Sequence, residues 1–312
     1  MHVESTTAGR ARSLAVSAAW FLRLAALELF ALWAIVTTGA AVRLTDSGLG
    51  CRHWPGCEAG HPLPAKDYHA YIEFGNRAVG GVTILITLAV ALLGAVAPVG
   101  RRTRQLAVAL FLGTLAQAPL GYLAVKTDLR WPVVMAHLLL SMLLLAGSVV
   151  LVFVADERVA GRAAPILPRE LRLLGLGVAG AALALIASGA LATAAGPHSG
   201  GGTTQVHRFA RFEPVLYAHA AVVAVFGCSF LFLLGYLFAR RERLRPLLFA
   251  ALGVLVVLLA QVGLGELQYR LHLPWYLVLV HVGIAATAWA GIIALVTAFW
   301  RPPSSLRRAL GP

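Results

Sequence analysis

The segment QAPLGYLAVKTDLRWPVVMAH at residues 117–137 is repeated, without gaps, as QVGLGELQYRLHLPWYLVLVH at residues 261–281. Eight of the 21 aligned positions are identical. The shared Gln, Gly, Trp and His carry more information than the shared Leu and Val, which are common in any apolar chain. The repeat therefore predicts a protein made of two related halves.

The composition around this repeat is that of a membrane protein. Hydrophobic residues make up 59% of the 312 residues and charged residues 12%, and the mean hydropathy is +0.80. Soluble domains carry about 25% charged residues. The composition excludes a disordered chain, a secreted disulfide scaffold and a cytosolic enzyme. The net charge of +13 comes from short arginine clusters between apolar runs, which indicates orientation in a lipid bilayer and not nucleic-acid binding.

Eight apolar runs are long enough to cross a bilayer as helices. They lack the residue-by-residue alternation of polarity that outer-membrane barrels show. We predict an all-α fold, an eight-helix transmembrane bundle of two tandem four-helix repeats in the same orientation. The halves would be residues 1–155, with an outer loop at 44–71, and residues 172–312, joined by a linker at 156–171. The runs lie at about 24–43, 72–97, 106–125, 132–154, 172–195, 214–237, 246–267 and 275–299.

The basic residues predict the orientation of these spans. Seventeen of the 26 fall on one side, eight fall on the other, and Arg77 lies within a span. Because basic residues concentrate in cytoplasmic segments, both termini are expected in the cytoplasm. The outer loops are then 44–71, 126–131, 196–213 and 268–274. This predicts a multi-pass protein of the cell (plasma) membrane.

Three of the ten histidines lie inside spans, near the outer ends and at matched depth: His137, His219 and His281. Ionisable residues in spans usually face the interior of the bundle. One such histidine often only bonds a neighbouring helix, but three at matched depth favour metal ligands. No Cys or carboxylate cluster indicates a zinc site. Two neutral imidazoles facing each other across an apolar gap suit haem iron, in a site near the outer face.

The two halves differ at one position. A step of 62 residues back from His281 reaches His219, whereas a step of 61 residues back from His137 reaches Asn76. The second half therefore carries a histidine pair, and the first half carries Asn and His.

Two acidic residues within spans have different expected roles. Glu73 shares a helix face with Asn76, where it could bond a ligand group, move protons, or be a simple interfacial carboxylate. Glu28 lies near the cytoplasmic end of its span and is expected to pair with a basic residue.

The first outer loop contains a cysteine pair and is flanked by arginines. Cys51 and Cys57 would face an oxidising compartment, where a disulfide can persist. That bridge is either a structural staple or a short redox-active one. Arg43 and Arg77, at the outer ends of the first two spans, either anchor the interface or pair with haem propionates.

The stretch TGAAVRLTDSGLGCRHWPGC at residues 38–57 resembles the first-loop signature of the haem A synthase family. The agreement continues through IEFGNR, QAPLG, GPHSG and QVGLG, and it extends over all eight runs. Members of this family oxidise the C8 methyl of haem O to a formyl group through successive hydroxylations. The product, haem A, is used by cytochrome oxidase.

The resemblance implies one haem site in each half. In the second half, His219 and His281 would be the axial ligands of haem b. In the first half, His137 would ligate the iron of the substrate haem O, and Glu73 would assist at that site. Asn76, on the same helix face as Glu73, is a further catalytic candidate of this sequence that the family pattern does not supply. Haem O synthase and cytochrome oxidase assembly factors are candidate partners, and the electron donor is unknown.

Two positions depart from the family pattern. Asn76 stands where many members have His, and GPHSGG lacks the acidic residue that commonly follows GPHxG. We expect His137 to be the only protein ligand of the substrate iron, which leaves the open position that oxygen activation needs. The alternative is a histidine from the outer loop: His53, His61 or, best placed, His69.

Three other functions compete with this interpretation. A transporter would be expected to have spans that break near the midplane, whereas the polar residues here cluster at the outer ends of the spans. A diheme cytochrome b that only transfers electrons would need a histidine pair in each half. A haem-farnesylating prenyltransferase needs Asp-rich motifs for Mg²⁺-bound diphosphate, and the chain has only four scattered aspartates.

Overall fold

The computed structural model describes residues 2–51, 53–61, 63–64, 66–198, 200 and 209–310, with side chains from Ala18 onward. In these ranges the chain is helical, with no strand beyond an isolated bridge between Glu58 and His61. Arg52 and Arg208, two of the basic residues on the predicted outer side, lie outside the described residues. The helices are α1 His2–Leu44, α2 Tyr68–Val96, α3 Arg101–Lys126, α4 Trp131–Ala160, α5 Arg169–Ala195, α6 Phe212–Ala239, α7 Arg241–Arg270, α8 Trp275–Trp300 and α9 Ser304–Leu310.

The eight predicted spans are confirmed. Ala18–Leu44 of α1 and the whole of α2 to α8 are long and apolar enough to cross a membrane. The first helix begins at His2, well before the predicted start. The short helix α9 is not predicted from the sequence. The first turn of α9 is held by Asp156 at the end of α4, which accepts hydrogen bonds from the backbone N–H and the hydroxyl of Ser304.

Each half closes four helices into a ring. In the first half, α1 packs against α2 and α4, and α3 packs against both of these; α5 to α8 repeat the scheme. The halves meet through α1 and α4 on one side and α5 and α8 on the other. Across this boundary, the indole N–H of Trp289 donates to the carbonyl of Met142 at 2.8 Å. The arrangement is compatible with the predicted tandem repeat, and the unit boundaries at 155 and 172 stay a prediction.

The turns that lead into α4 and α8 have the same backbone shape. Asp128 and Leu129 have φ values of 50° and 56°, and His272 and Leu273 have 61° and 60°. Non-glycine residues rarely adopt this left-handed region, because Cβ then lies close to the backbone. Its recurrence at equivalent positions means that the last helix of each half begins in the same way.

Glu28 lies in the core of the bundle, and no basic residue with a described side chain pairs with it, contrary to the expectation from the sequence. The side chain is 0% exposed, and among the described residues neither carboxylate oxygen has a hydrogen-bond partner. Glu28 shares its helix face with Ala25 and Leu32, three residues before and four residues after it, and both belong to the apolar core. This spacing turns Glu28 toward the core.

Replacing Glu28 with Leu should therefore stabilise the protein. The free energy of unfolding in detergent should rise by about 1–3 kcal/mol, because the substitution removes a buried polar group without a partner. Glu28→Gln is the matched control, since it keeps the shape and leaves polar atoms buried, and it should bring no such gain. A less stable Leu variant would mean that the carboxyl group has a partner, such as a buried water, in the folded protein.

Candidate functional site

A disulfide holds the outer loop between α1 and α2. Cys51 and Cys57 are bonded, with their Cα atoms 4.4 Å apart. Both are buried, and they cluster with Ala70 and Phe74 of α2. The predicted pairing is confirmed, and its buried place against α2 favours a structural staple.

Glu73 and Arg77 fasten the same loop to α2. Oε2 of Glu73 accepts a hydrogen bond from the backbone N–H of Cys51 at 2.7 Å, and Oε1 pairs with Nη2 of Arg77 at 2.5 Å. Nη1 of Arg77 lies within hydrogen-bond distance of three loop carbonyls, those of His53, Pro55 and Gly56, which share its two N–H donors. Both side chains thus hold the loop. The catalytic role of Glu73 and the propionate contact of Arg77 stay predictions.

A glycine on the preceding helix sets the position of each repeated histidine. A Cβ atom on Gly121 of α3 would lie 3.6 Å from Cε1 of His137 on α4. A Cβ atom on Gly265 of α7 would lie 3.2 Å from Cε1 of His281 on α8. The absence of a side chain lets each imidazole lie directly against the neighbouring helix.

A glutamine one turn before each of these glycines links the same helix pairs. Nε2 of Gln117 donates to the backbone carbonyl of His137 at 3.2 Å, and Nε2 of Gln261 donates to that of His281 at 3.0 Å. The Gln, Gly and His of the sequence repeat therefore form one repeated contact.

Asn76 and His219 occupy matching places in the two halves, each against a hydroxyl group on the preceding helix. Oγ1 of Thr38 on α1 donates to Oδ1 of Asn76 on α2 at 2.8 Å. Oγ of Ser188 on α5 lies 2.8 Å from Nδ1 of His219 on α6. The asymmetry in the sequence therefore lies within a shared packing scheme.

The residue after each hydroxyl is again a glycine. A Cβ atom on Gly39 would lie 3.9 Å from Oδ1 of Asn76, and one on Gly189 would lie 3.3 Å from Cε1 of His219. Neither pair is predicted from the sequence. The only signal is TGA at 38–40 and SGA at 188–190, which is too short to recognise before the helices are paired.

These four side chains lie at a similar depth. Asn76, His137, His219 and His281 each follow the first residue of their helix by six to eight positions. This corresponds to about 9–12 Å along the helix axis.

The three imidazoles have nitrogens available for a metal. Nδ1 of His137 and of His281 is buried without a partner in the described part of the chain. No group of three or more His, Cys, Asp or Glu gathers there to form a metal cluster. Imidazoles without carboxylate or thiolate neighbours, in an apolar bundle, fit haem iron better than zinc.

Arg43 lies where the outer loops of the two halves join. The backbone N–H of Gly48 donates to the carbonyl of Gly200 at 3.0 Å, and that of Gly200 donates to Oδ1 of Asp46 at 3.1 Å. A Cβ atom on Gly200 would lie 3.2 Å from Cγ of Arg43. Nε of Arg43 is buried, and none of the described residues accepts its hydrogen. This position suits an anionic group such as a carboxylate.

The outer-loop histidines have other surroundings. His69 is exposed, its Nδ1 lies 3.0 Å from Oγ of Ser47, and its ring forms a T-shaped contact with the ring of Tyr68. His53 and His61 are exposed as well. These surroundings argue against the alternative in which a loop histidine replaces the one missing at position 76.

The chain is similar to one family of known proteins. The profile of the COX15-CtaA family, described as cytochrome oxidase assembly protein, matches residues 22–293. The chain is 26% identical to the haem A synthase of Shewanella oneidensis, over 93% of this chain and 98% of that protein. It is 33% identical to the haem A synthase of Bacillus pumilus over 43% of this chain and 44% of that protein. It is 39% identical to the haem A synthase of Symbiobacterium thermophilum over 29% of this chain and 30% of that protein.

The Glu73–Arg77 pair should contribute strongly to stability. Glu73→Ala should lower the free energy of unfolding by about 3–5 kcal/mol, because it leaves a mostly buried arginine unpaired. Glu266→Ala is the control, because Glu266 pairs with Arg270 at the same spacing but in the open. The side chains of Glu73 and Arg77 are 6% and 16% exposed, whereas those of Glu266 and Arg270 are 57% and 74% exposed.

The control should lose only about 0–1 kcal/mol. Thermal unfolding in detergent measures the stability of both variants, and hydrogen exchange in the loop between α1 and α2 should rise only in Glu73→Ala. Equal losses of stability in the two variants would refute the assignment of Glu73 as the residue that anchors the loop.

Proposed function

Because the chain belongs to the COX15-CtaA family of cytochrome oxidase assembly proteins, we propose that it is a haem A synthase. This enzyme is a membrane oxidoreductase that converts the C8 methyl group of haem O to a formyl group. Similarity to the haem A synthase of S. oneidensis over nearly the full length of both proteins supports the proposal. The observation that carries it is that two halves with one packing scheme differ at the Asn76 and His219 positions.

We infer that His219 and His281 hold haem b in the second half. Both side chains lie at a similar depth, and glycines on the preceding helices set the position of both rings. Neutral imidazoles are common axial ligands of haem iron, and an apolar bundle suits the flat ring. When bound, haem b supplies one-electron transfer.

We infer that the first half binds the substrate haem O through His137. The place that corresponds to His219 holds Asn76, a poor iron ligand, whose amide oxygen already accepts the hydrogen bond of Thr38. The substrate iron would then have one axial position without a protein ligand. The buried Nε of Arg43, at the junction of the outer loops, makes this arginine a candidate partner for a haem propionate.

The loop that Glu73, Arg77 and the disulfide hold against α2 would cover the outer end of the first half. A covered site excludes water and strengthens the electrostatic interactions inside it. In this proposal Glu73 anchors the loop. It also lies three residues before Asn76, on the helix face that Asn76 shares. The cysteine pair would act as a staple, without a change of redox state.

We further propose that the protein lies in the cell membrane with both termini in the cytoplasm. The distribution of basic residues, 17 against eight, supports this orientation. The haem sites would then lie near the outer face. A diheme cytochrome b is the weaker alternative, because it needs a second imidazole where the first half has Asn76.

Expression of the protein with a source of haem O, followed by chromatography of the extracted haems, tests the proposed reaction. Conversion to haem A is the expected result. His219→Ala and His281→Ala should each lose haem b, whereas His137→Ala should keep haem b and convert no haem O. Wild-type protein that keeps haem b and leaves haem O unchanged would contradict the proposal.

The glycine that faces His281 provides a second test. Gly265→Ala should lower the haem b content of the purified protein about tenfold or more, because the new methyl group displaces the imidazole. Gly263→Ala is the control: it lies on the same helix, makes the same chemical change, and has nothing within 4 Å of the new Cβ atom. If both variants bind haem b equally, the contact between Gly265 and His281 does not position the ligand.

A further inference from the structure

We propose that Ser188 is a positioning residue that sets the tautomer of His219 and makes it the stronger of the two haem b ligands. The inference rests on the proposed function, because it assumes that His219 binds iron. No sequence motif singles out Ser188, and its role follows from two hydrogen bonds of its hydroxyl group.

The hydroxyl of Ser188 can donate only one hydrogen bond. Its Oγ lies 2.8 Å from the carbonyl oxygen of Leu185, one turn earlier on α5, and 2.8 Å from Nδ1 of His219. The carbonyl of Leu185 can only accept, so the hydroxyl hydrogen belongs to that bond. Oγ therefore accepts a hydrogen from Nδ1 of His219.

This assignment decides which nitrogen of His219 can bind a metal. A neutral imidazole carries one N–H, so a hydrogen on Nδ1 leaves the lone pair on Nε2. Gly189 adds a positional constraint, because its missing side chain lets the ring of His219 lie against α5. The serine and the glycine together hold the ring in one tautomer and one place.

Among the described residues, the other ligand of the proposed pair has no such hydroxyl partner. Nδ1 of His281 is buried and has no hydrogen-bond partner in the ranges that the structure describes. A hydrogen bond from the outer nitrogen of a metal-bound histidine raises the basicity of the ligating nitrogen. His219 should therefore donate more electron density to iron than His281 does.

The first half also has a hydroxyl at this position, but there the hydroxyl donates its hydrogen to the side chain that faces it. Thr38 matches Ser188, and its hydroxyl lies 2.8 Å from Oδ1 of Asn76 but 3.3 Å from the carbonyl of Ile35. The shorter contact takes the hydroxyl hydrogen, so the amide oxygen of Asn76 accepts it and its NH₂ group remains to donate. The hydroxyl of Ser188 thus leaves the lone pair on Nε2 of His219 free to bind a metal. The hydroxyl of Thr38 leaves the NH₂ group of Asn76 free to donate hydrogen bonds.

The experiment compares the full-length wild-type protein in detergent with Ser188→Ala and Ser188→Thr. Ser188→Ala should bind haem b about 10–100-fold more weakly, and its haem midpoint potential should rise, because a less basic ligand stabilises ferric iron less. Ser188→Thr restores a hydroxyl, as the first half has at Thr38, and should match the wild type in both measurements. Thermal unfolding of the three proteins should be similar, since Ser→Ala is a small change in a helix.

The possible results are distinct. Wild-type protein without haem b overturns the proposed function and this inference together. If the wild type holds haem b but Ser188→Ala matches its affinity and midpoint potential, the role of Ser188 is wrong and the proposed function stands. Nitrogen-15 spectra of labelled histidine in the haem-free protein give an independent readout, because the Nδ1–H tautomer of His219 should depend on a hydroxyl at position 188.

Discussion

The close approach of an imidazole ring to a glycine on the preceding antiparallel helix organises both halves of this protein. It occurs between α3 and α4, between α5 and α6, and between α7 and α8, and in each case a Cβ atom on the glycine would lie 3.2–3.6 Å from Cε1 of the histidine. Helices in a bilayer gain little from burying apolar surface against one another, so their association depends on tight packing at small residues and on interhelical hydrogen bonds. These contacts supply both, and they hold polar rings in an apolar interior.

The duplicated scheme allows the two halves to hold different groups without a change of architecture. The second half has imidazoles at two positions of similar depth, and the first half has one imidazole and one amide. The proposed function accounts for this difference. A haem that stays bound as cofactor would have two histidine ligands, whereas a haem that must be released would have one. The hydroxyl groups of Thr38 and Ser188 then decide whether the side chain that faces them presents hydrogen-bond donors or a lone pair.

Loops lie at the outer ends of the two halves and are hydrogen-bonded to the helices and to each other. Glu73 and Arg77 connect the first outer loop to α2 through backbone groups, and Gly48 and Gly200 connect that loop to the second half. Backbone groups in a loop that covers an apolar site need partners. The buried carboxylate and guanidinium provide several at once, which accounts for a charged pair near the outer end of α2.

Much of this architecture can be read from residue patterns. The apolar runs predict eight spans because a helix must be long enough to cross the bilayer, and the gapless match of 117–137 with 261–281 predicts two related halves. The same match singles out His137, His281 and the glycines and glutamines that position them, because these residues recur in one register. Local patterns are sufficient here because each contact joins consecutive helices through a short turn.

Other features depend on how distant segments meet. The pairing of Thr38 with Asn76 and of Ser188 with His219 joins helices through long connections of different length, so no fixed spacing in the chain reveals it. The sequence also suggests a basic partner for Glu28, but the rotation of α1 in the bundle buries that side chain among apolar residues. Apolar runs and repeat spacing thus establish the number, length and kinship of the helices, whereas helix rotation and packing establish which polar atoms meet, because such contacts depend on angles and distances in space.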